Sequence, residues 1–375
     1  MLKKQTIIVL ISIVLISILV FCLTLGIVSN KNKNKEIVFP YVSGVPASFP
    51  VDKTSNIVFS VDKKYKEYLK VAIKSAIVNK NKDSYYNIYI LCVDLSKKDR
   101  DSFKVFESDK VKINTVELKL GMLKNVGNYK ILGRSHVSRT DLFKFFIPKI
   151  FKDLDRILYI DSDTLILKDL SKIYNYSLEN KLIGAVQELH DNKKTFGFNC
   201  GVILYNIKNC NKENITEKLI EAKNKDKTRI YVTQSFFREI IKENEVAKMP
   251  FEFNRFSSTT QKEFKELNYK ELFYSNNKKI NSLEDADKNT IIIHFLAYKK
   301  PWQYDKINFA NLWWEYAKTI NPNWKAKKRN KLQNLFLAIE LTMASNKERK
   351  FENFDSALHS AKREYRYLNK EKDKR

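Results

Sequence analysis

The chain has 375 residues, 43% hydrophobic and 13% aromatic, which excludes a disordered protein and leaves room for one large domain or two ordinary ones. A formal net charge of +26 points to an anionic partner such as a phosphorylated ligand or an anionic membrane. Nucleic acid is disfavoured, because the lysines are spread among asparagines with no zinc-finger or aromatic-basic RNA signature. The four cysteines, Cys22, Cys92, Cys200 and Cys210, form no C-x-x-C pair and read as free buried thiols.

The segment Thr6–Val28 carries no charge and is dominated by Ile, Leu and Val. As a helix it spans about 34 Å, enough to cross the hydrocarbon core of a bilayer. It is long for a signal-peptide apolar region and lacks a convincing small-residue cleavage site, so residues 1–28 read as a membrane anchor. Lys3 and Lys4 precede it and Lys31, Lys33 and Lys35 follow, so the positive-inside rule slightly favours a cytoplasmic large domain. Residues 29–52, with Pro40, Pro46 and Pro50, read as a linker; 53–320 form the large domain and 321–375 a basic helical tail.

Within the large domain the pattern predicts a strand from Asn56 (NIVFSVD) and a helix over 65–79 with Tyr65, Leu69, Ala72, Ile73, Ala76 and Ile77 on one face. A strand over 87–94, a polar helix over 97–107 and a strand near 111–118 follow. This alternation predicts a βαβ sheet that begins like a nucleotide-binding domain. Residues 121–137 are less regular, and 140–151 predict a Phe-rich helix. Further strands are predicted at 182–187, 198–207 and 290–294, and helices at 211–225 and 233–243. Beyond Pro322 the chain turns basic and aromatic. Trp313, Trp314, Trp324, Leu332, Leu335, Phe336 and Ile339 beside Lys325, Lys327, Lys328, Arg329 and Lys331 suit a helix lying on an anionic membrane, although Trp313 and Trp314 equally suit packing on the large domain.

The chemistry gathers around RILYIDSDTLIL, residues 156–167. Ile157, Leu158 and Ile160 read as a strand buried on both faces, broken abruptly by Asp161 and Asp163. Two carboxylates at the C-terminal edge of a sheet repel each other unless a cation sits between them, and a hard divalent ion with oxygen ligands meets that need. Read alone they are equally solvated turn residues or a helix cap. Asp62 follows the first strand, where a base or ribose meets the sheet edge, and alone it reads as a helix cap. In FNCGVILYN the glycine at 201 permits close backbone approach to a ligand, or marks a bulge, and the Asn199 amide can hydrogen-bond hydroxyls. His294 ends a strand in HFLAYKKPW, as a metal ligand or a satisfied core histidine, and Lys300 suits a diphosphate.

In order, VFSVDKKY, YNIYIL, RILYIDSD, FNCGVILYN and HFLAYKKPW resemble glycosyltransferase family 8, over about 56–302. The resemblance implies a Rossmann-like α/β fold of GT-A type with a mostly parallel central sheet. It also implies a metal-dependent, retaining transferase moving a hexose, galactose or glucose, from a UDP-sugar to a glycan or glycolipid acceptor. By the same resemblance Asp161, Asp163 and His294 hold Mn2+ (or Mg2+). Ser60, Asp62 and Tyr65 match positions that hold the uridine, and Lys300 a position on the diphosphate. Lys144 stands where many members carry an arginine over the donor sugar and phosphate. Glu188 and Asn199 match sugar-facing positions, and Gln234 is the implied catalytic side chain together with Asp163. Lys64, Ala297 and Thr233 depart from the family's usual Asn, Gly and Asp. A Ser-His-Asp hydrolase is disfavoured by the missing G-x-S-x-G, and a P-loop enzyme by the missing phosphate-cradling glycine loop. The non-enzymatic alternative is a membrane-tethered, degenerate sugar-nucleotide-binding protein.

Overall fold

The computed structural model describes residues 39–40, 42, 44–119, 122, 139–188, 197–225, 233–259, 261–266, 280, 282–296, 300–303 and 307–325. The chain divides into two units, Met1–Phe39 and Pro40–Arg375, and every described element belongs to the second. The predicted anchor Thr6–Val28 and the tail beyond Lys325 lie outside the described residues. Among the described residues no helix is long and apolar enough to cross a membrane.

Among the described residues ten strands carry the unit: β1 Thr54–Val61, β2 Tyr85–Cys92, β3 Val111–Glu117, β4 Arg156–Ile160, β5 Thr164–Ile166, β6 Ile183–Gln187, β7 Phe198–Asn206, β8 Val246–Met249, β9 Arg255–Phe256 and β10 Ile292–His294. Seven form the central sheet in the order β3-β2-β1-β4-β7-β6-β8, and β5-β10-β9 form a small second sheet. Pairing within the central sheet is parallel except on the two sides of β7, so β7 alone runs against the others. A mixed α/β fold with a largely parallel sheet is therefore what the strand alternation foretold. The unbroken burial of β1 and the near-continuous burial of β2 and β4 follow from cover on both faces.

Helix α1, Lys66–Val78, lies between the two sheets. Leu69, Ala72, Ile73 and Ala76 pack into the main core with β1 and β2, as the apolar spacing requires. Val71 faces the other way, into a cluster with Leu165, Ile293, Phe295 and Trp302. Helix α2, Gln234–Ile240, and helix α3, Ala310–Ile320, complete what matters for the site. Cys92, Cys200 and Cys210 are free and buried, as read from the sequence.

Several expectations are corrected. The segment 140–151 is a 3-10 run, Arg139–Phe146, followed by a single α turn, Ile147–Ile150. Pro148 has no N–H for the Lys144 carbonyl, which takes the Tyr205 hydroxyl at 3.2 Å instead. The helix predicted over 211–225 breaks into Ile207–Lys212 and Ile215–Lys225, with Asn214 between them at a φ of 52°. The helix over 97–107 likewise becomes Lys97–Asp101 and a 3-10 turn, Lys104–Phe106. Trp313 is not a lipid-facing residue: it is 1% exposed and packs on Tyr68, Trp302 and Trp314. Trp314 is half-buried and gives its indole N–H to the Pro301 carbonyl at 3.0 Å. Both tryptophans attach α3 to the large domain.

Candidate active site

The two sheets meet at Asp161–Asp163, and that junction brings the predicted ligands together. The Asp161 N–H gives the last hydrogen bond to β7, on the Gly201 carbonyl at 2.7 Å, before the chain leaves the central sheet. The Thr164 hydroxyl returns to the Asp161 carbonyl at 2.9 Å, closing the turn that sends β5 into the small sheet. There Thr164 pairs with His294 across antiparallel β5 and β10, and the Phe295 N–H bonds the Asp163 carbonyl at 3.0 Å. Strand pairing alone thus delivers a residue 131 positions after Asp163 to its side. β7 runs against its neighbours, so its beginning, with Asn199 and Gly201, arrives at the same edge where the parallel strands end.

Nε2 of His294 lies 3.3 Å from Asp163 Oδ1 and 3.7 Å from Asp161 Oδ2. One ligand atom from each of the three residues falls within 4.8 Å of the others. The tautomer follows from a chain of hydrogen bonds that begins at a backbone N–H. The Gly201 N–H donates to Asn199 Oδ1 at 2.8 Å, so that atom is an acceptor. Asn254 therefore turns its Nδ2 to Asn199 Oδ1, 2.9 Å away, and its Oδ1 to His294 Nδ1, 3.1 Å away. Nδ1 then carries the hydrogen, so whenever the ring is neutral its Nε2 lone pair points at two carboxylate oxygens. Three converging acceptors repel one another, and a divalent cation is what such a donor set fits.

Gly201 is needed for the same reason. A Cβ there would meet His294 Cε1 at 2.0 Å, Nδ1 at 2.5 Å and Asp161 Oδ2 at 2.9 Å. The close approach expected of this glycine is real, but what approaches is the histidine ring.

Three cations surround the acids. Lys144, 3% exposed, lies 3.0 Å from Asp161 Oδ1 and 2.6 Å from Asp141 Oδ1. Burial opposes its charge, and the Asp141 and Asp161 carboxylates more than offset that, holding the ammonium well above its ordinary value. Lys300 is equally buried and donates to Asp163 Oδ2 and to the Phe295 carbonyl. Burial alone would raise the Asp163 carboxyl; the Lys300 ammonium outweighs it and holds the carboxyl well below the usual carboxylate range. Arg238 pairs with Glu188 Oε2 at 2.5 Å and donates from Nε to the Phe198 carbonyl at 2.9 Å.

Gln234 is fixed by the same kind of reasoning. Its Oε1 accepts the Cys200 N–H at 3.2 Å and Asn199 Nδ2 at 3.3 Å, so its Nε2 faces Glu188, 2.6 Å from Oε2. Glu188, Gln234, Asn199, Asn254 and His294 form one continuous hydrogen-bonded chain ending on the candidate metal-binding triad.

The positions matched to uridine are placed as follows. Asp62 accepts the Lys64 and Tyr65 N–H groups at 2.9 and 3.0 Å, the local turn role that a lone Asp before a helix suggests. Tyr65 sits edge-on to Tyr68 and Trp302. Burial, then the Asp163 and Asp62 carboxylates, push its phenol far above its ordinary value. Ser60 Oγ lies 2.8 Å from the Tyr159 hydroxyl, which gives its hydrogen to Asp161 Oδ1 at 2.6 Å, so Ser60 is the donor. Its side chain thus supports, through Tyr159, a carboxylate of the candidate metal site.

Sequence reasoning missed Asn254, Tyr159, Arg238 and Asp141. Two of these carried a readable signal: Arg238 stands one helical turn after Gln234, and Asp141 three residues before Lys144. Asn254 is an amide among the three phenylalanines of FEFNRF, which marks a buried polar group but not its partner.

Residues 56–306 match the model of Glycosyl transferase family 8. The chain belongs to this family. Among curated relatives, Glycosyltransferase GlyD of Streptococcus pneumoniae serotype 4 is 26% identical over 276 residues, covering 69% of this chain and 30% of GlyD. GlyB of the same organism is 25% identical over 269 residues, covering 70% and 61%. A putative glycosyltransferase of Haemophilus influenzae is 28% identical over 235 residues, covering 55% and 64%. The match therefore spans less than two thirds of each relative's length. Among solved structures, the galactosyltransferase LgtC in complex with donor and acceptor sugar analogues shares the fold at a TM-score of 0.56 and 21% identity, over 70% of this chain and 95% of LgtC. The bifunctional glycosyltransferase WbbM aligns at 0.59 and 20% identity, over 76% and 52%.

Proposed function

We propose that the chain is a metal-dependent, retaining hexosyltransferase that takes galactose or glucose from a UDP-sugar and passes it to a glycan or glycolipid. What carries the reading is the convergence of Asp161, Asp163 and the lone pair of His294 Nε2, joined through Asn254 and Asn199 to Gln234. Mn2+, or Mg2+, bound by these three residues supplies Lewis-acid stabilisation of a departing diphosphate. The imidazole in the donor set favours manganese over magnesium.

Transfer breaks the bond between the sugar's anomeric carbon and the diphosphate oxygen, and the electron pair leaves with UDP. Lys144 and Lys300 are buried ammoniums beside the metal-binding acids, placed to stabilise that charge where little water competes. Gln234 is a poor nucleophile: its amide oxygen is delocalised and already accepts two hydrogen bonds. Retention then follows from attack by the acceptor hydroxyl on the face the diphosphate leaves, with the hydroxyl proton passing to a phosphate oxygen. Gln234 Nε2 holds one hydrogen toward Glu188 and keeps a second for the sugar. Ser60, Asp62 and Tyr65 line the uridine end of the cleft, and Glu188 and Asn199 the sugar end.

The apolar run Thr6–Val28 supports a single-pass anchor that keeps this unit at a membrane, on the cytoplasmic side by its flanking lysines. The deciding experiment measures UDP release from UDP-galactose and UDP-glucose by the full chain in detergent, with Mn2+ and with chelator. Manganese-dependent release establishes the transferase; tight binding of UDP-sugar without release establishes the tethered binding protein instead; neither binding nor release removes both.

A further inference from the structure

Asp141 belongs to neither the metal-binding triad nor the Gln234 chain, yet it joins the two. Its Oδ1 takes the Lys144 ammonium at 2.6 Å, and the same ammonium reaches Asp161 Oδ1 at 3.0 Å. Its Oδ2 takes the Thr233 hydroxyl at 2.7 Å, and Thr233 is the residue from which α2 and Gln234 begin. The Asp141 side chain is 23% exposed over an ammonium that is 3% exposed, so the carboxylate can be reached from solvent while the charge it holds is buried. A charged donor grips one oxygen and a hydroxyl the other, which prevents the group from turning. Each carboxylate oxygen can accept two hydrogen bonds, and the described residues supply one to each. Lys144 keeps a second counter-charge in Asp161, 3.0 Å away, when Asp141 is neutralised.

A preorganised, partly exposed group that only accepts matches a ligand rich in hydroxyl donors. We propose that Asp141 is a specificity-determining residue that accepts a hydrogen bond from a hydroxyl of the donor hexose. The assignment rests on the nucleotide-sugar reading above. It divides the labour in the cleft: the triad, Lys144 and Lys300 hold the diphosphate, and Asp141 reads the sugar.

The test is calorimetric titration of UDP, UDP-galactose and UDP-glucose, each with Mn2+, into the full chain and into Asp141→Asn and Thr233→Val. For Asp141→Asn, the preferred UDP-hexose binds at least tenfold more weakly while UDP alone keeps its affinity within twofold. For Thr233→Val, which frees Oδ2 but keeps the carboxylate, the UDP-hexose weakens about threefold and UDP is again unmoved. Should Asp141→Asn not fold, the same split in Thr233→Val decides the matter. If UDP and UDP-hexose weaken together, Asp141 merely supports Lys144 and the proposal is overturned; if neither changes, it is overturned as well. If the unsubstituted chain fails to bind UDP, the nucleotide-sugar reading fails first and takes this one with it, a result seen before any variant is made.

Discussion

Two groups of buried carboxylates lie at opposite edges of the same sheet, and they are treated differently. At the N-terminal edge, Asp169 accepts the Asn81 N–H at 2.8 Å, the Tyr86 hydroxyl at 2.9 Å and the Ser171 N–H at 2.9 Å. Every one of these donors is neutral, and the acid is locked by its own fold. At the C-terminal edge, Asp161 and Asp163 face two ammoniums and the lone pair of an imidazole. Neutral donors satisfy a structural acid completely, whereas charges and competing acceptors surround an acid that has a ligand to hold. Exposure alone would not separate them, since Asp169 and the acid pair are all largely buried.

The largest break in that comparison is to remove one acid of the pair. Asp161→Asn and Asp163→Asn each lose a charge and a ligand, and transfer is expected to fall by about a thousandfold or more in manganese. Both variants should stay folded, with the melting temperature lowered more in Asp163→Asn, which leaves the buried Lys300 ammonium without its carboxylate, than in Asp161→Asn, where Asp141 still pairs with Lys144. Near-normal transfer by either variant defeats the metal assignment. Gly201→Ala follows, since its Cβ would lie 2.0 Å from His294 Cε1. The ring must move, so Mn2+ binding measured by electron paramagnetic resonance should be lost, with overpacking costing about 1–3 kcal/mol in stability. Intact Mn2+ binding in Gly201→Ala would show that His294 lies elsewhere.

How much of this was legible in the sequence depends on range. Burial of β1, β2 and β4 reads directly from apolar runs, and the sheet edge from the sudden change of polarity at Asp161. The resemblance implied roles at one site for Lys144, Glu188, Asn199, Gln234, His294 and Lys300; in the structure Lys144 lies on Asp161, Lys300 on Asp163, and hydrogen bonds run from Glu188 through Gln234, Asn199 and Asn254 to His294. Helix continuity was misread where one residue decides it: Pro148 withholds a donor, and Asn214 takes a left-handed conformation. Asn254 stayed hidden because its meaning lies wholly in partners 55 and 40 residues away. Trp313 stayed open in the sequence because an aromatic near lysines looks the same whether it meets lipid or a neighbouring helix.

Asn254 sharpens the comparison, since it uses a neutral amide to orient a metal-binding ring. In Asn254→Ala the Nδ1 hydrogen loses its acceptor and the ring its fixed tautomer. Partners of this kind are worth about 10–100-fold in metal affinity, so Mn2+ titration should show a loss in that range. An unchanged affinity, with only the melting temperature lowered, would make Asn254 a core residue and nothing more.

The smallest expected effect is at the other edge. Burial acts to raise the Asp169 carboxyl, and the hydrogen bonds from Ser171, Asn81 and Tyr86 outweigh it, leaving the group below its ordinary value. A carboxylate more acidic in the folded than in the unfolded chain stabilises the fold above the unfolded value, about 3.9, and loses that contribution as pH falls through the folded one. In Asp169→Asn an amide N–H must face a donor already in place, which costs about 1–3 kcal/mol at neutral pH. The gap in stability between the two chains should therefore be full above about pH 4 and narrow on further acidification. Manganese affinity and UDP release should not change, because nothing joins Asp169 to the cleft but the core. A drop in either, measured at a temperature where both chains are folded, would mean that the two edges are coupled through α1, whose ends lie beside Asn81 and Asp62.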